Sequence, residues 1–146
     1  MSYSTILVAV DLTEESSQVF EAANQIATNN AATVHVVTVI KPLTQVYGGL
    51  DMAPIASGSV SFEEEAVLQA TSQLKSLAGT LSEEQVHVVL GAPAQEIREL
   101  SEKIGADLII VGSHGRHGLG LLLGSTANGV LHGVACDVLA VRVQVQ

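Results

Sequence analysis

The chain contains no tryptophan, and all aromatic residues together make up only 3% of its 146 residues. Its core must therefore be aliphatic, which fits a parallel sheet that is buried on both faces. Basic residues are also few, with six Lys and Arg against fifteen Asp and Glu, giving a net charge of −9. Nucleic acids and anionic membranes both attract basic surfaces, so we expect neither as a partner.

A single cysteine, Cys136, excludes an intramolecular disulfide and a zinc site made of several cysteines. Its apolar surroundings favour a small buried side chain over a redox thiol. The residues Met1–Thr5 carry no basic stretch that would resemble a signal peptide. No apolar run reaches the roughly 20 residues that span a bilayer. We therefore expect a soluble cytoplasmic protein with a single domain over residues 1–146.

Short apolar runs typical of buried strands alternate with amphipathic helical patterns. Residues 41–61 interrupt this alternation as an irregular segment, and a capping box of Ser61 and Glu64 begins the next helix. Pro93 and Gly105 mark the start and the end of a later helix. The pattern predicts an α/β fold with a doubly wound parallel sheet and helices on both faces. The predicted strands are Thr5–Val10, Thr33–Ile40, Gln85–Leu90, Asp107–Val111 and Asp137–Val143.

A glycine-rich loop follows the fourth predicted strand and runs from Gly112 to Gly124, before a helix that begins near Ser125 and Thr126. Glycine lets the backbone approach a ligand, and a helix N-terminus favours phosphate. The loop is not a Walker A motif, because Ser125 and Thr126 stand where its lysine belongs. Nor is it the dinucleotide fingerprint, which follows the first strand. It fits a phosphate cradle of backbone N–H groups, and the alternative is a flexible connection with an ordinary serine cap.

Asp11 ends the first predicted strand, at the edge where doubly wound sheets bind their ligands. A carboxylate there suits ribose hydroxyls or a Mg²⁺ ion beside phosphates. The alternative is an N-cap by Asp11 or Thr13 on the following helix. In the glycine-rich loop, His114 and Arg116 offer phosphate contacts, although for Arg116 a solvated side chain is the slightly preferred interpretation.

No Ser–His–acid or Cys–His arrangement has a recognisable spacing, so no catalytic residue is predicted. The loop histidines His114 and His117 lack a third ligand at metal-site spacing, so no metal centre is predicted either. His35 and His87 lie inside strand patterns, and we interpret them as structural residues.

Several segments resemble the signatures of the universal stress protein family. They are Ile6–Asp11, Asp107–Gly115, Leu123–Thr126 and Cys136–Arg142. The resemblance implies an adenine-nucleotide α-hydrolase-like fold with the sheet order 3-2-1-4-5. It also implies a homodimer paired through the edge of the last strand, at Val138, Ala140 and Val141.

ATP-binding members of that family carry a glycine pattern that matches Gly112, Gly115, Gly124 and Ser125. Where those members have nine residues between the second and third glycine, this chain has eight. The resemblance also implies an acidic nucleotide contact at Asp11 and an apolar adenine contact at Val39. The candidate nucleotide-binding residues are Ala9, Val10, Asp11, Val39, Gly112, His114, Gly115, Arg116, Gly124, Ser125 and Thr126.

The sequence therefore predicts a dimeric stress-response sensor or regulator that binds ATP, or AMP after slow turnover, with Mg²⁺ as a further cofactor. The shorter loop leaves an alternative, in which a non-nucleotide interaction module recruits a protein partner through the dimer and residues 41–61. An ATPase or phosphotransferase is the least favoured interpretation, because a Walker lysine and a clear base are missing.

Overall fold

The computed structural model describes residues 2–42, 56–113 and 125–143. In this part of the chain, strands and helices alternate as the sequence predicts. The strands are β1 (Thr5–Ala9), β2 (Thr33–Ile40), β3 (Val86–Leu90), β4 (Leu108–Gly112) and β5 (Asp137–Val141). The α-helices are α1 (Ser16–Asn30), α2 (Ala56–Leu77), α3 (Pro93–Ile104) and α4 (Ser125–Leu131), and a 3₁₀ turn (Glu83–Gln85) precedes β3.

The five strands form one parallel sheet in the order β3-β2-β1-β4-β5. The doubly wound parallel sheet and its order are therefore confirmed. From β1 the chain adds β2 and β3 on one side, and it then crosses to the other side to add β4 and β5. The strand order consequently reverses between β1 and β4, which is where ligands bind in sheets of this type.

The sheet separates two apolar layers, because successive strand residues point to opposite faces. In β1, Ile6, Leu7 and Val8 are all fully buried. Ile6 and Val8 pack against α1 and α2, whereas Leu7 packs against α3 and α4. A central strand that is buried on both sides explains why the chain uses so few aromatic or polar residues there.

Local signals explain both ends of α3. Pro93 is at the start of α3. Gly105 ends the same helix in the left-handed conformation, with φ 71°, as predicted. The prediction that a capping box at Ser61 begins a helix is wrong, because α2 already begins at Ala56. A glycine inside a helix costs only about 1 kcal/mol, so Gly58 does not prevent the earlier start.

The remainder of the predicted irregular segment, residues 43–55, lies outside the described residues. The bounds of β2 agree with the prediction, and those of the other strands differ by one or two residues. β5, for example, ends at Val141 and not at Val143. No helix in the described ranges is both long and apolar enough to cross a membrane.

Candidate functional site

Three strand ends meet where the strand order reverses. Ala9 lies beside Val37 of β2, and Val8 lies beside Ile110 of β4. If the same register is extended by two residues toward the carboxyl ends of the strands, Asp11 lies level with Val39, and Val10 lies level with Gly112. The N–H group of Val10 supports the continuation by donating to the carbonyl of Val37 at 3.0 Å.

Five of the predicted site residues therefore lie together at the carboxyl ends of β1, β2 and β4. They are Ala9, Val10, Asp11, Val39 and Gly112. The remaining ones belong to the glycine-rich loop or to the start of α4. Of these, His114, Gly115, Arg116 and Gly124 lie outside the described residues.

Asp11 is held by its own loop. Its Oδ1 accepts hydrogen bonds from the backbone N–H of Thr13 at 3.2 Å, from Thr13 Oγ1 at 2.7 Å and from Ser16 Oγ at 3.3 Å. Ser16 is buried, which ties this exposed carboxylate to the body of the protein. Oδ2 accepts no hydrogen bond from the part of the chain that the structure describes. One carboxylate oxygen is thus fixed by the protein, in a residue whose side chain is exposed.

This arrangement differs from an N-cap. Residue Glu15 precedes the first turn of α1, and no side chain caps that turn. Asp11 instead forms an Asx turn with Thr13, in which a carboxylate binds the backbone two residues later. The alternative prediction, that Asp11 or Thr13 caps the N-terminus of α1, is therefore wrong.

Leu12 turns the chain between Asp11 and Thr13. Its φ is 59°, a left-handed conformation that is unusual for a residue other than glycine. The half-buried side chain packs against the apolar layer under α1 and α2. Such a backbone costs about 1 to 2 kcal/mol, and it persists only where surrounding contacts hold it. The loop that presents Asp11 is therefore strained and anchored.

An apolar surface lies beside Asp11. Val39 is half-buried and packs against the layer that contains Ala9 and Val37. Ala127, in the first turn of α4, is buried in the same layer. The start of α4, with Ser125 and the half-buried Thr126, consequently lies over the sheet face to which Val39 belongs.

Leu12, Thr13 and Ser16 support Asp11, and none of the three was predicted from the sequence in that role. The spacing Asp11-x-Thr13 is typical of an Asx turn, and it offered a signal for Thr13. Ser16 could not have been found in this way, because its contact depends on where α1 begins.

Other reactive groups lie elsewhere. Burial raises the pKa of the half-buried Cys136 thiol, and the charges of Asp137 and Asp107 raise it further. A thiol that stays protonated is a poor nucleophile, as expected for a structural residue. Within the described ranges, no three His, Cys, Asp or Glu residues come together in a way that could hold a metal ion.

These features define a doubly wound α/β protein in which a carboxylate and apolar side chains lie together at the strand-order reversal. The sequence model described as the universal stress protein family matches residues 2–142. Universal stress protein A homolog 1 of Coxiella burnetii is 42% identical over 143 residues, which are 97% of each chain. The chain belongs to the universal stress protein family.

Solved structures share this fold. The universal stress protein UspA from Lactobacillus plantarum has a TM-score of 0.75 at 24% identity, over 97% of this chain and 99% of that one. It shows the same fold. A universal stress protein solved in complex with cAMP has a TM-score of 0.63 at 29% identity, over 97% of this chain and 98% of that one.

Proposed function

We propose that the chain binds an adenine nucleotide, ATP or AMP, at the crevice beside Asp11 and acts as a stress-response sensor or regulator. The observation that carries this proposal is the Asp11 carboxylate, which has Oδ1 fixed by Thr13 and Ser16 and Oδ2 left for a ligand. The relative that was solved with cAMP supports an adenine nucleotide as the class of ligand.

Each part of the crevice suits one part of the nucleotide. Asp11 Oδ2 is an acceptor for ribose hydroxyls, and Val39 offers an apolar face to the adenine ring. The phosphates would contact the glycine-rich loop and the residues after it. The proposed phosphate contacts are Gly112, His114, Gly115, Arg116, Gly124, Ser125 and Thr126. Ala9 and Val10, at the end of β1, would lie beneath the nucleotide.

Mg²⁺ fits the same donor set. It is commonly held by one or two carboxylates together with phosphate oxygens, and Asp11 supplies one such carboxylate. When bound, the ion would neutralise phosphate charge. Asp11 could therefore contact either the ribose hydroxyls or the Mg²⁺ ion. Binding measurements with and without Mg²⁺ distinguish these two roles.

Calorimetry with ATP, AMP and cAMP, each with and without Mg²⁺, tests the proposal. We expect Asp11→Ala to weaken binding by about 10- to 100-fold, since a hydrogen bond to a charged group contributes about 1.5 to 3 kcal/mol. Glu102→Gln, which removes an exposed charge at the end of α3, is the control and should bind as the wild type does. No saturable binding below about 1 mM, or equal binding by Asp11→Ala, would overturn the proposal.

The eight-residue spacing between Gly115 and Gly124 favours a second candidate, an interaction module without nucleotide. Mass spectrometry of the purified protein separates the two functions. Adenine nucleotide carried through purification by the wild type but lost in Asp11→Ala supports the first candidate. Absence of nucleotide, together with no response to any of the three ligands, supports the second.

We further propose that the chain forms one domain and pairs with a second copy through β5. β5 is an edge strand, and Ala140 is exposed along it. Val138 and Val141 are half-buried neighbours that pairing would cover. Light scattering should give a dimer for the wild type and a monomer for Ala140→Glu. Leu90→Glu places the same charge on the opposite edge strand, β3, and should remain dimeric. A wild-type monomer at micromolar concentration would contradict the interface.

A further inference from the structure

Two histidines meet between β2 and the edge strand β3, on the sheet face that α3 covers. His35 Nδ1 lies 3.0 Å from His87 Nε2. The ring centroids are 5.3 Å apart, and the ring planes differ by 23°. This centroid separation is nearly the N···N distance plus the two ring radii. The rings therefore meet end to end, with the two nitrogens pointing at each other.

Such a contact depends on the number of protons that the two rings carry. A ring nitrogen donates when it bears hydrogen and accepts when it does not, so only one of the facing nitrogens can be protonated. A first additional proton fits on the outward nitrogen of the donating ring and leaves the hydrogen bond intact. A second places N–H groups on both facing nitrogens and breaks the bond.

The surroundings oppose these additional protons. Burial lowers the pKa of His35 and of His87. The pKa of His87 is lowered further by the charge of His35 and by the Lys103 ammonium on α3. In register, the neighbour of His35 on β1 is the apolar Leu7.

No carboxylate of the described residues acts on either ring to offset these effects. The exposed acids on the neighbouring elements are Glu83 and Glu84 of the 3₁₀ turn and Glu99 and Glu102 of α3. Glu83 is directed instead to Lys75 of α2, at 3.5 Å.

We propose that the His35–His87 pair is a pH-sensitive contact that strengthens the junction between β2 and β3 at neutral pH and weakens it on acidification. β2 is the strand neighbour of β3 in the sheet, and the pair adds to the backbone pairing of the two strands over Val86–Leu90. α2 packs over β2 and β3, and its buried Leu74 belongs to the layer on the opposite face. Acidification is therefore expected to destabilise the edge strand β3 together with α2, the helix that packs on it. His35 lies near the start of β2, whereas the candidate nucleotide contact Val39 lies near its end.

The variants His35→Asn and His87→Gln test the proposal. Their amide groups can occupy the positions of Nδ1 and Nε2 and keep a hydrogen bond, but they do not take up a proton. His132→Gln, which changes an exposed histidine, is the matched control. Urea unfolding of the full chain between pH 7.5 and pH 5.0 measures the effect.

For the wild type, we expect the ratio of folded to unfolded protein to fall by about tenfold or more over this range, because the unfolded histidines bind protons with a pKa of about 6.5. The double variant should lose most of this dependence, and His132→Gln should follow the wild type. Hydrogen exchange of the β3 amides, corrected for intrinsic rates, should rise on acidification in the wild type only.

NMR titration of the wild-type imidazole signals provides a test that needs no variant to fold. His87 should titrate below about pH 6.5, and Lys103→Met should raise its midpoint. Two rings that titrate independently near pH 6.5 would overturn the proposal. So would a double variant that loses stability on acidification as steeply as the wild type.

Discussion

Arg98 on α3 is joined to Gly129 on α4 by a hydrogen bond, in which Nη1 donates to the Gly129 carbonyl at 2.8 Å. α4 ends two residues later, so this carbonyl is among those that the helix cannot satisfy internally. The positive charge of the guanidinium also interacts favourably with the partial negative charge at the C-terminal end of the helix. One side chain therefore fixes α4 against α3, and α4 begins at the candidate nucleotide crevice.

Replacing Arg98 by alanine should reduce the free energy of unfolding by about 1 to 2 kcal/mol, since the half-buried bond has a charged donor. Arg98→Lys should recover part of the loss, because an ammonium still suits the helix end but lacks the planar, five-donor guanidinium. Urea unfolding measures both changes. An alanine variant as stable as the wild type would show that the bond contributes nothing.

Gly133 makes room for the same side chain. A Cβ added there would lie 2.5 Å from Cδ and 2.7 Å from Nε of Arg98, so Gly133→Ala must displace the arginine. We expect this substitution to cost about 1 to 2 kcal/mol in the wild type and much less in Arg98→Ala. Gly79→Ala is the control, since its added Cβ would meet nothing closer than the Ser76 carbonyl at 3.9 Å. Additive losses in the double variant would contradict the shared mechanism.

The strands could be predicted from the sequence because each is a short aliphatic run between polar segments. The run that contains Ile6, Leu7 and Val8 is apolar at every position, which indicates burial on both faces, and all three side chains are fully buried. The start of α2 was predicted less well. A capping motif at Ser61 is a local signal, but it does not exclude a helix that continues toward Ala56.

Contacts between residues that are distant in the chain could not be predicted from the sequence. Asp11 could be placed at a strand end, yet its fixed orientation depends on the buried Ser16 and on the left-handed Leu12. His35 and His87 could each be assigned to a strand. Their meeting depends on the register between β2 and β3, in which His87 lies beside Val37, and no local pattern encodes that offset.

Asp107 should contribute to stability in a pH-dependent way. Its carboxylate accepts hydrogen bonds from the backbone N–H groups of Ser4 at 2.8 Å and Thr5 at 3.0 Å, and these bonds lower the pKa of Asp107. The resulting stability is present above about pH 4, where the unfolded carboxylate ionises, and it is lost as the pH falls through the lower pKa of the folded protein.

Asp107→Asn should therefore be less stable than the wild type at pH 7, and the difference should shrink as the pH falls below about 4. Unfolding by urea across pH 7 to 2 measures this convergence. Glu21→Gln, at an exposed position on α1, serves as the control for the change in net charge and should leave the curve unaltered. A constant gap between Asp107→Asn and the wild type would refute the role of ionisation.

Leu12 allows a comparison in which glycine should stabilise the protein relative to alanine. Both substitutions remove the packing of the half-buried side chain, but only glycine adopts a φ of 59° without strain. Leu12→Gly should accordingly be more stable than Leu12→Ala, by about 1 kcal/mol in urea unfolding.

Ala31 is the matched case for that comparison, since its φ is 54° and its side chain is exposed. No packing is lost there, so Ala31→Gly should stabilise the wild type by a similar amount. If Ala31→Gly stabilises the protein while Leu12→Gly does not exceed Leu12→Ala, the loop at Asp11 relaxes out of the left-handed conformation once the leucine anchor is gone. The orientation of Asp11 would then depend on the packing of Leu12, and the hydrogen bonds to Thr13 and Ser16 would be insufficient to hold the turn.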